Sequence, residues 1–208
     1  GQGHAMLGSD YWQQQGATVI AHDDTATEIE DHGYEVLARM QGIQRDKAMG
    51  TVLSQPNITF TDKYTLELGG EKIEILNLGP SHSHGDVVVW LPQRKLMIAG
   101  DIAFHQRLLP VFDDTDTAAW IETWEAFAAI DADIIIPGHG DPTVLSELEK
   151  YTVDYLKYIR SEASKIIEAG GTLEDAYKID QSAYAHLHTF DELANRNAGR
   201  IFRAMEFE

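Results

Sequence analysis

The sequence contains no cysteine. This absence excludes disulfide bridges, thiolate metal ligands and cysteine nucleophiles, so any metal ion must be held by nitrogen and oxygen atoms. Basic residues are also few, because 16 Lys and Arg stand against 34 Asp and Glu, for a formal net charge of −18. That charge repels a phosphate backbone, and no local cluster of Lys or Arg offsets it. We therefore expect no nucleic-acid partner and a solvated, acidic surface.

Long hydrophobic runs are missing as well. No stretch approaches the roughly 18 consecutive apolar residues of a membrane span, so we expect a soluble protein without a membrane partner. The N-terminus lacks a signal-peptide pattern, yet cytoplasm and periplasm both stay open as compartments. The chain has 208 residues, 43% of them hydrophobic, and no repeat or Pro/Gly/Ser-rich linker. This predicts a single domain over 1–208, with a core over 1–143 and a helical C-terminal extension over 144–208.

The apolar residues alternate between helical and strand periods, which predicts an α+β fold. Helices are predicted over 5–15, from 23 to a stop at Gly33, and over 34–48, 118–130, 144–169 and much of 172–208. Strands are predicted over 17–22, 58–60, 64–68, 72–78, 87–91, 95–99 and 133–136. Gly69-Gly70 and Pro92-Gln93-Arg94 predict two hairpins.

Four glycine-containing segments carry the candidate chemistry. They are Gly-Gln-Gly-His-Ala-Met-Leu-Gly (1–8), Gly-Pro-Ser-His-Ser-His-Gly-Asp (79–86), Ala-Gly-Asp (99–101) and Pro-Gly-His-Gly (137–140). The last three place His82, Asp101 and His139 on loops at the ends of predicted strands, where scaffolds usually display functional groups. Each residue alone has a structural explanation, such as a surface histidine or a turn aspartate. Together, imidazole and carboxylate groups suit a hard-to-borderline cation.

The order and spacing of these segments resemble the metallo-β-lactamase superfamily, particularly its glyoxalase II-like and quinoprotein-relay-type metallohydrolases. The last three segments resemble the family's third, fourth and fifth motifs. The resemblance implies an αβ/βα sandwich with a helical C-terminal tail. It also implies that His82 belongs to a first metal site, that Asp101 bridges two sites, and that His139 belongs to the second.

The family's first motif, His-x-His-x-Asp-His, is altered in this chain. When the sequence is aligned on the stretch Leu7–Trp12, Gln2 stands at the second histidine of the motif. His4 stands at its aspartate, and Ala5 at its last histidine. The resemblance therefore implies a first site that has lost most of its imidazoles.

The remaining ligands predict one divalent ion per chain, held by His4, Asp101 and His139 with His82 close by. His84 either fills a vacant ligand position or is an exposed loop histidine. Zinc is the first choice for the ion, and iron and manganese are the alternatives.

This site predicts hydrolysis of a small ester, thioester or amide-type substrate. An open position on the ion would lower the pKa of a bound water and polarise the substrate carbonyl. His82 or His84 would then shuttle protons. His105 and Phe112, on the loop over 105–116, are predicted to contact the substrate, although core packing explains the apolar residues of that loop equally well. The alternative function is a catalytically degenerate relative that binds a ligand or partner in the same cleft.

Several strands precede the first motif in the resembled family, whereas here that motif begins at residue 1. We therefore expect an incomplete N-terminal part with open sheet edges and uncovered apolar faces. Two explanations are available, a chain shortened from a longer protein or a partner that covers the gap. We favour the shortened chain, and expect it to self-associate, most simply as a homodimer.

Overall fold

The computed structural model describes residues 3–208. Its helices are α1 (Gly3–Met6), α2 (Ser9–Gln14), α3 (Asp23–Gln44), α4 (Thr117–Ala128), α5 (Leu145–Tyr151), α6 (Val153–Glu168), α7 (Leu173–Ala176) and α8 (Phe190–Met205). Its strands are β1 (Ile20–His22), β2 (Ile58–Phe60), β3 (Lys63–Leu68), β4 (Glu71–Leu76), β5 (Val88–Leu91), β6 (Leu96–Phe104) and β7 (Ile134–His139). Within residues 3–208, no helix has both the length and the apolar character needed to cross a bilayer.

The strands form a five-stranded sheet and a two-stranded sheet. The larger one has the order β3-β4-β5-β6-β7, in which only β6 and β7 run parallel. Gly69 and Gly70 join β3 to β4 with φ angles of 61° and 84°, the left-handed values that a tight two-residue turn requires. The short helical turn Pro92–Arg94 joins β5 to β6. The α+β class and both predicted hairpins are therefore confirmed.

One face of the large sheet is covered by α4 and α5. Val88, Met97 and Ile135 lie on this face and are at most 1% exposed. They pack with Trp124 and Phe127 of α4 in one apolar cluster. Because this packing anchors the two parallel strands β6 and β7, it also fixes the position of the residues at their carboxyl ends.

The opposite face of the same sheet is apolar and only partly covered. The strand register aligns one side chain from each strand in a row, namely Tyr64, Ile75, Val89, Ile98 and Ile136. Ile98, in the middle of the sheet, is 41% exposed. Contiguous apolar patches of this kind often mark interaction surfaces. Self-association stays a prediction, and sedimentation of the purified chain tests it, since a stable monomer would contradict it.

The C-terminal helices differ from the single helix predicted over 144–169. The chain breaks between α5 and α6 at Thr152, where φ is −113° and ψ is −82°. The Oγ1 atom of Thr152 accepts a hydrogen bond from the Phe104 amide at 3.0 Å and donates one to the Phe104 carbonyl at 3.3 Å. This side chain ties the helix break to the end of β6. The predicted helix end at Gly170 is confirmed, with φ at 70°.

A buried polar network joins α6 and α8 to the loop that follows β6. Asn197 donates to the Leu109 carbonyl at 2.7 Å and accepts from the Val111 amide at 2.9 Å. Asn197 also donates to the Tyr155 hydroxyl, which in turn donates to Gln181. Leu109 and Val111 are at most 1% exposed, so the core-packing explanation of these loop residues is the observed one. The division into 1–143 and 144–208 stays a prediction.

The predicted helix stop at Gly33 is wrong. A single helix, α3, runs from Asp23 to Gln44 through this residue. A Cβ atom at position 33 would lie 2.7 Å from Leu53 Cδ2, so the glycine here permits close packing instead of ending the helix. The N-terminus of α3 is capped by His22, whose Nδ1 atom accepts a hydrogen bond from the Asp24 amide at 3.1 Å.

Candidate metal centre

Asp101 lies within β6 and not on a loop after it, which corrects the prediction. Strand β6 continues to Phe104, but its register with β7 is irregular between Ile98 and Gly100. Gly100 has a φ of 56°, a left-handed conformation that is typical of a β-bulge. The bulge reorients the chain just before Asp101, whose carboxylate is only 8% exposed.

His139 ends β7 and is flanked by two glycines that its surroundings require. A side chain on Gly138 would collide with Asp101 Oδ1, and one on Gly140 would collide with the His105 carbonyl. Gly140 also has a φ of 96°, which favours glycine. The flanking glycines therefore allow β7 to approach β6 closely enough to bring His139 to Asp101.

His4 reaches the same point from the other end of the chain. It lies on α1, which packs against α3 so closely that a Cβ atom on Gly3 would lie 2.9 Å from Val36 Cγ1. The His4 side chain is 54% exposed. The ligand atoms of His4, Asp101 and His139 all lie within 4.8 Å of one another. Gln2, which stands at a histidine position of the altered motif, lies outside the described residues.

The distances around Asp101 fit a cation. Its Oδ2 atom is 3.3 Å from His4 Nε2 and 3.7 Å from His82 Nε2, and its Oδ1 atom is 3.5 Å from His139 Nε2. Two ligand atoms bound at about 2.0–2.2 Å to one tetrahedral ion lie roughly 3.3–3.6 Å apart. The His4 and His139 separations fall within this range and the His82 separation lies just above it, so His4, Asp101 and His139 form a suitable N/O donor set with His82 close by.

The ionisable groups of this centre shift one another's pKa. Burial raises the pKa of Asp101, but the hydrogen bond from His4 and the charges of the surrounding histidines outweigh burial and leave this pKa lowered. The same hydrogen bond raises the pKa of His4. Burial lowers the pKa of His139. Near neutral pH, Asp101 is thus a carboxylate and His139 is a neutral imidazole, and these are the forms that ligate metals.

His82 lies in an aromatic box next to Asp101. Its ring is 5.1 Å from the Phe112 ring, 5.6 Å from Trp120 and 5.8 Å from Phe104. Burial lowers the pKa of His82, and its Nδ1 atom has no hydrogen-bond partner among the described residues. A neutral imidazole with Nε2 turned toward Asp101 suits the predicted role near the ion, and that role stays a prediction.

Asp86 organises the loop that carries His82 and His84. Its carboxylate accepts hydrogen bonds from the Ser81 hydroxyl at 2.7 Å, the Ser83 amide at 2.8 Å and the Ser83 hydroxyl at 2.6 Å. His84 lies on the exposed side of this loop and does not belong to the cluster of ligand atoms within the described chain. The structure thus favours the exposed-loop interpretation of His84 over a ligand.

The two predicted substrate contacts lie next to different histidines of the centre. His105 Nδ1 is 3.0 Å from the Asp141 carbonyl, and the His105 amide donates to the His139 carbonyl at 2.9 Å. Its position is therefore tied to the loop of His139. Phe112 packs on His82 and lies under the Arg200 guanidinium, 5.7 Å from the ring centre. Their roles in substrate binding stay predictions.

Sequence reasoning missed Arg107. Its Nη1 atom is 2.9 Å from His139 Nδ1 and 3.2 Å from His139 Nε2. One signal for it was present, because Arg107 is the sole Lys or Arg between Lys95 and Lys150. An isolated arginine in a long acidic and apolar stretch, six residues after Asp101, indicates a position close to that carboxylate.

A cavity of about 430 Å³ opens beside the centre. His4 and Asp101 line it together with polar residues, among them His22, Ser83 and Asp86. Apolar side chains from β1 and α3 complete its wall. This volume falls within the range of small-molecule sites.

The sequence that forms this fold and this centre matches the model of one protein family. The model of the metallo-beta-lactamase superfamily matches residues 4–139, which includes His4, His82, Asp101 and His139. The chain belongs to the metallo-beta-lactamase superfamily.

Three similar proteins give this membership more detail. Metallo-beta-lactamase type 2 of Bacteroides fragilis is 30% identical over 139 residues, which are 64% of this chain and 54% of that protein. A linear primary-alkylsulfatase of Pseudomonas sp. is 24% identical over 129 residues, which are 58% of this chain and 24% of that protein. The structure of the sec-alkylsulfatase Pisa1 from Pseudomonas sp. aligns with 92% of this chain and 37% of its own, at 16% identity and a TM-score of 0.65.

The chain thus spans about half of the length of the Bacteroides fragilis lactamase, 54%, and about a quarter of the length of the primary-alkylsulfatase, 24%. The structural likeness confirms the predicted metallo-β-lactamase-like fold. Because the alignment with Pisa1 covers 92% of this chain, it includes part of the C-terminal helices.

Proposed function

We propose that this protein is a metal-dependent hydrolase of a small ester, thioester or amide-type substrate. The observation that carries the proposal is the convergence of His4, His82 and His139 on the two oxygens of Asp101. The superfamily relatives include a lactamase and alkylsulfatases by name, which supports a hydrolytic reaction without specifying the bond that is cleaved.

His4, Asp101 and His139 would hold the ion, and zinc is our first choice because these ligands are two imidazoles and one carboxylate. Iron and manganese accept the same ligands. A divalent ion in this position supplies a Lewis acid and a nucleophile that is available at neutral pH. The aromatic box around His82 excludes water from that side, so His82 can hold or release a proton at Nε2 beside the reacting groups.

A binding protein without turnover is the second candidate. Two observations favour it, the 54% exposure of the His4 side chain and the contact of the Arg107 guanidinium with His139. The first leaves one of the ligands open to solvent, and the second places a positive charge beside another ligand, where it repels a cation.

Metal analysis of protein purified without added ions tests the proposal. We expect about one ion per chain, and hydrolysis of an activated ester that a strong chelator abolishes and added zinc restores. Bound ion without hydrolysis would favour the binding protein. Hydrolysis that survives exhaustive chelation would contradict the metal-dependent reaction.

Metal affinity should depend on pH through His4. The hydrogen bond to Asp101 raises the pKa of His4 above 6.5, so the proton stays on His4 at a pH where a free imidazole has lost it. Because a protonated imidazole cannot ligate a metal, affinity should fall as the pH drops through this raised pKa and level off above it. Calorimetric titration with zinc between pH 5.5 and 8.5 measures this, and constant affinity would contradict His4 as a ligand.

A further inference from the structure

The ring of His82 is oriented by packing and not by a hydrogen bond. A histidine of a metal centre usually donates its second ring N–H to a carboxylate or a carbonyl, which fixes the ring. The Nδ1 atom of His82 has no such partner among the described residues. Its ring is enclosed by the rings of Phe104, Phe112 and Trp120. The position of His82 Nε2 beside Asp101 therefore depends on how firmly these three rings are held.

Phe112 is the least buried member of this aromatic box. Phe104 and Trp120 are fully buried in the core, whereas Phe112 is half-buried and lies on the loop that follows β6. Thr115 joins this loop to His82, because its hydroxyl accepts a hydrogen bond from the Phe112 amide at 3.1 Å and donates one to the His82 carbonyl at 3.3 Å. These bonds fix the backbone of the loop, but the Phe112 ring needs further contacts.

Arg200 of α8 supplies those contacts. Its guanidinium carbon lies 5.7 Å from the centre of the Phe112 ring, within the distance of a cation–π contact. Arg200 Nη1 donates to the Val111 carbonyl at 2.6 Å, and its Nε donates to the Asp113 carboxylate at 2.9 Å. Asp113 is 86% exposed, and an ion pair with so exposed a partner contributes little. The bond to Val111 and the ring contact therefore matter more.

The position of Arg200 is itself well defined. Its side chain is 21% exposed. Asn197, one turn earlier on α8, binds the backbone of Leu109 and Val111 in the same loop. Arg200 lies beyond the residues 4–139 that match the superfamily model, so that match assigns it no role.

We propose that Arg200 is a positioning residue of this centre, which holds Phe112 against His82 and thereby keeps His82 Nε2 turned toward Asp101. The effect on turnover rests on the proposed hydrolase function, whereas the positioning itself is a property of the protein without an ion. Helix α8 thus contributes to the centre although none of the candidate ligands lies on it.

The imidazole NMR signals of the metal-free protein at one fixed pH test this without turnover. His82→Gln identifies the His82 signals by their loss. We expect Arg200→Gln to shift or broaden the His82 ring signals, while the exposed His32 keeps its own. Arg200→Lys keeps the charge near Phe112 but loses the planar fork, so it should restore part of the native pattern. Arg203→Gln, at an exposed position of the same helix, is the matched control and should change no histidine signal.

A second variant shows whether Arg200 acts through Phe112. Phe112→Ala removes the ring and should change the His82 signals as Arg200→Gln does. In that background Arg200→Gln should add nothing, because both changes remove the same contact. Native His82 signals in Arg200→Gln, or a further change in the double variant, would overturn the positioning role. Should Arg200→Gln fail to fold, unchanged His82 signals in both Arg200→Lys and Phe112→Ala would overturn it.

Kinetics of the zinc-loaded protein separate this proposal from the hydrolase function. Arg200→Gln should lower kcat for 4-nitrophenyl acetate about tenfold, the lower end of the effect of residues that orient groups at metal centres, and leave zinc affinity within about twofold. Zinc affinity is spared because Arg200 touches none of His4, Asp101 and His139. Equal losses of kcat and zinc affinity would contradict a role through His82. If the native protein does not hydrolyse the ester, the hydrolase proposal is in difficulty, while the imidazole signals still decide the role of Arg200.

Discussion

Replacing Asp101 by asparagine should lower the affinity for a divalent ion at least about 100-fold and abolish hydrolysis. The change keeps the shape of the side chain but removes the charge that faces three imidazoles at 3.3–3.7 Å. Residues that merely orient metal ligands already contribute about 10–100-fold to affinity, so a direct ligand should contribute at least as much. Equilibrium titration with zinc, together with metal analysis, measures the loss.

Asp133→Asn is the matched control, because Asp133 is 68% exposed and only loosely paired with Lys95. It should leave both affinity and hydrolysis unchanged. Near-native zinc affinity of Asp101→Asn would show that the centre described here is not where the ion binds. A loss of affinity in the control as well would indicate a general effect of charge.

Replacing Trp120 by alanine should destabilise the protein by about 3–5 kcal/mol, the range measured for large aromatic residues in cores. Trp120 is fully buried, and its indole donates a hydrogen bond to the Ile102 carbonyl at 3.1 Å. It also packs on the His82 and Phe104 rings. The cavity left by the truncation should therefore loosen His82 as well as the core. The shift of the urea unfolding midpoint measures the effect.

Trp12→Ala is the corresponding control, since Trp12 is 59% exposed. Substitutions at such surface positions usually change stability by no more than about 0.5 kcal/mol. Trp120→Phe should recover part of the lost stability because it fills part of the cavity. Equal unfolding midpoints for the Trp120→Ala variant and the native protein would contradict the position of Trp120 in the core.

The residues of the centre were predictable because their chemistry is visible in the sequence. His82, Asp101 and His139, beside glycines and after predicted apolar strands, indicated ligands for a cation, and the resemblance to the superfamily added His4. The structure brings the ligand atoms of His4, Asp101 and His139 within 4.8 Å of one another. That they hold an ion stays a prediction. The sequence also indicated the two hairpins, since paired glycines permit the backbone angles of a tight turn.

Other features depended on contacts between distant residues and were missed or misjudged. Gly33 looked like a helix stop, but Leu53 packs against it and α3 continues. Thr152 looked like a helix-interior residue, but its hydroxyl bonds to the backbone of Phe104, 48 positions away. The sequence did not single out Arg107, because its place at the centre depends on a contact with His139, which comes 32 residues later. Local periodicity contains no information on such partners.

The sequence by itself indicated the family, the order of the seven strands, and the residue types able to ligate a metal without cysteine. The tertiary structure alone decided which of these residues meet. Asp101 faces three imidazoles because the bulge at Gly100 redirects its strand and the small Gly138 lets the neighbouring strand approach. It also decided that the Arg107 guanidinium lies beside His139, since close packing and charge interactions are set between segments that are remote along the chain.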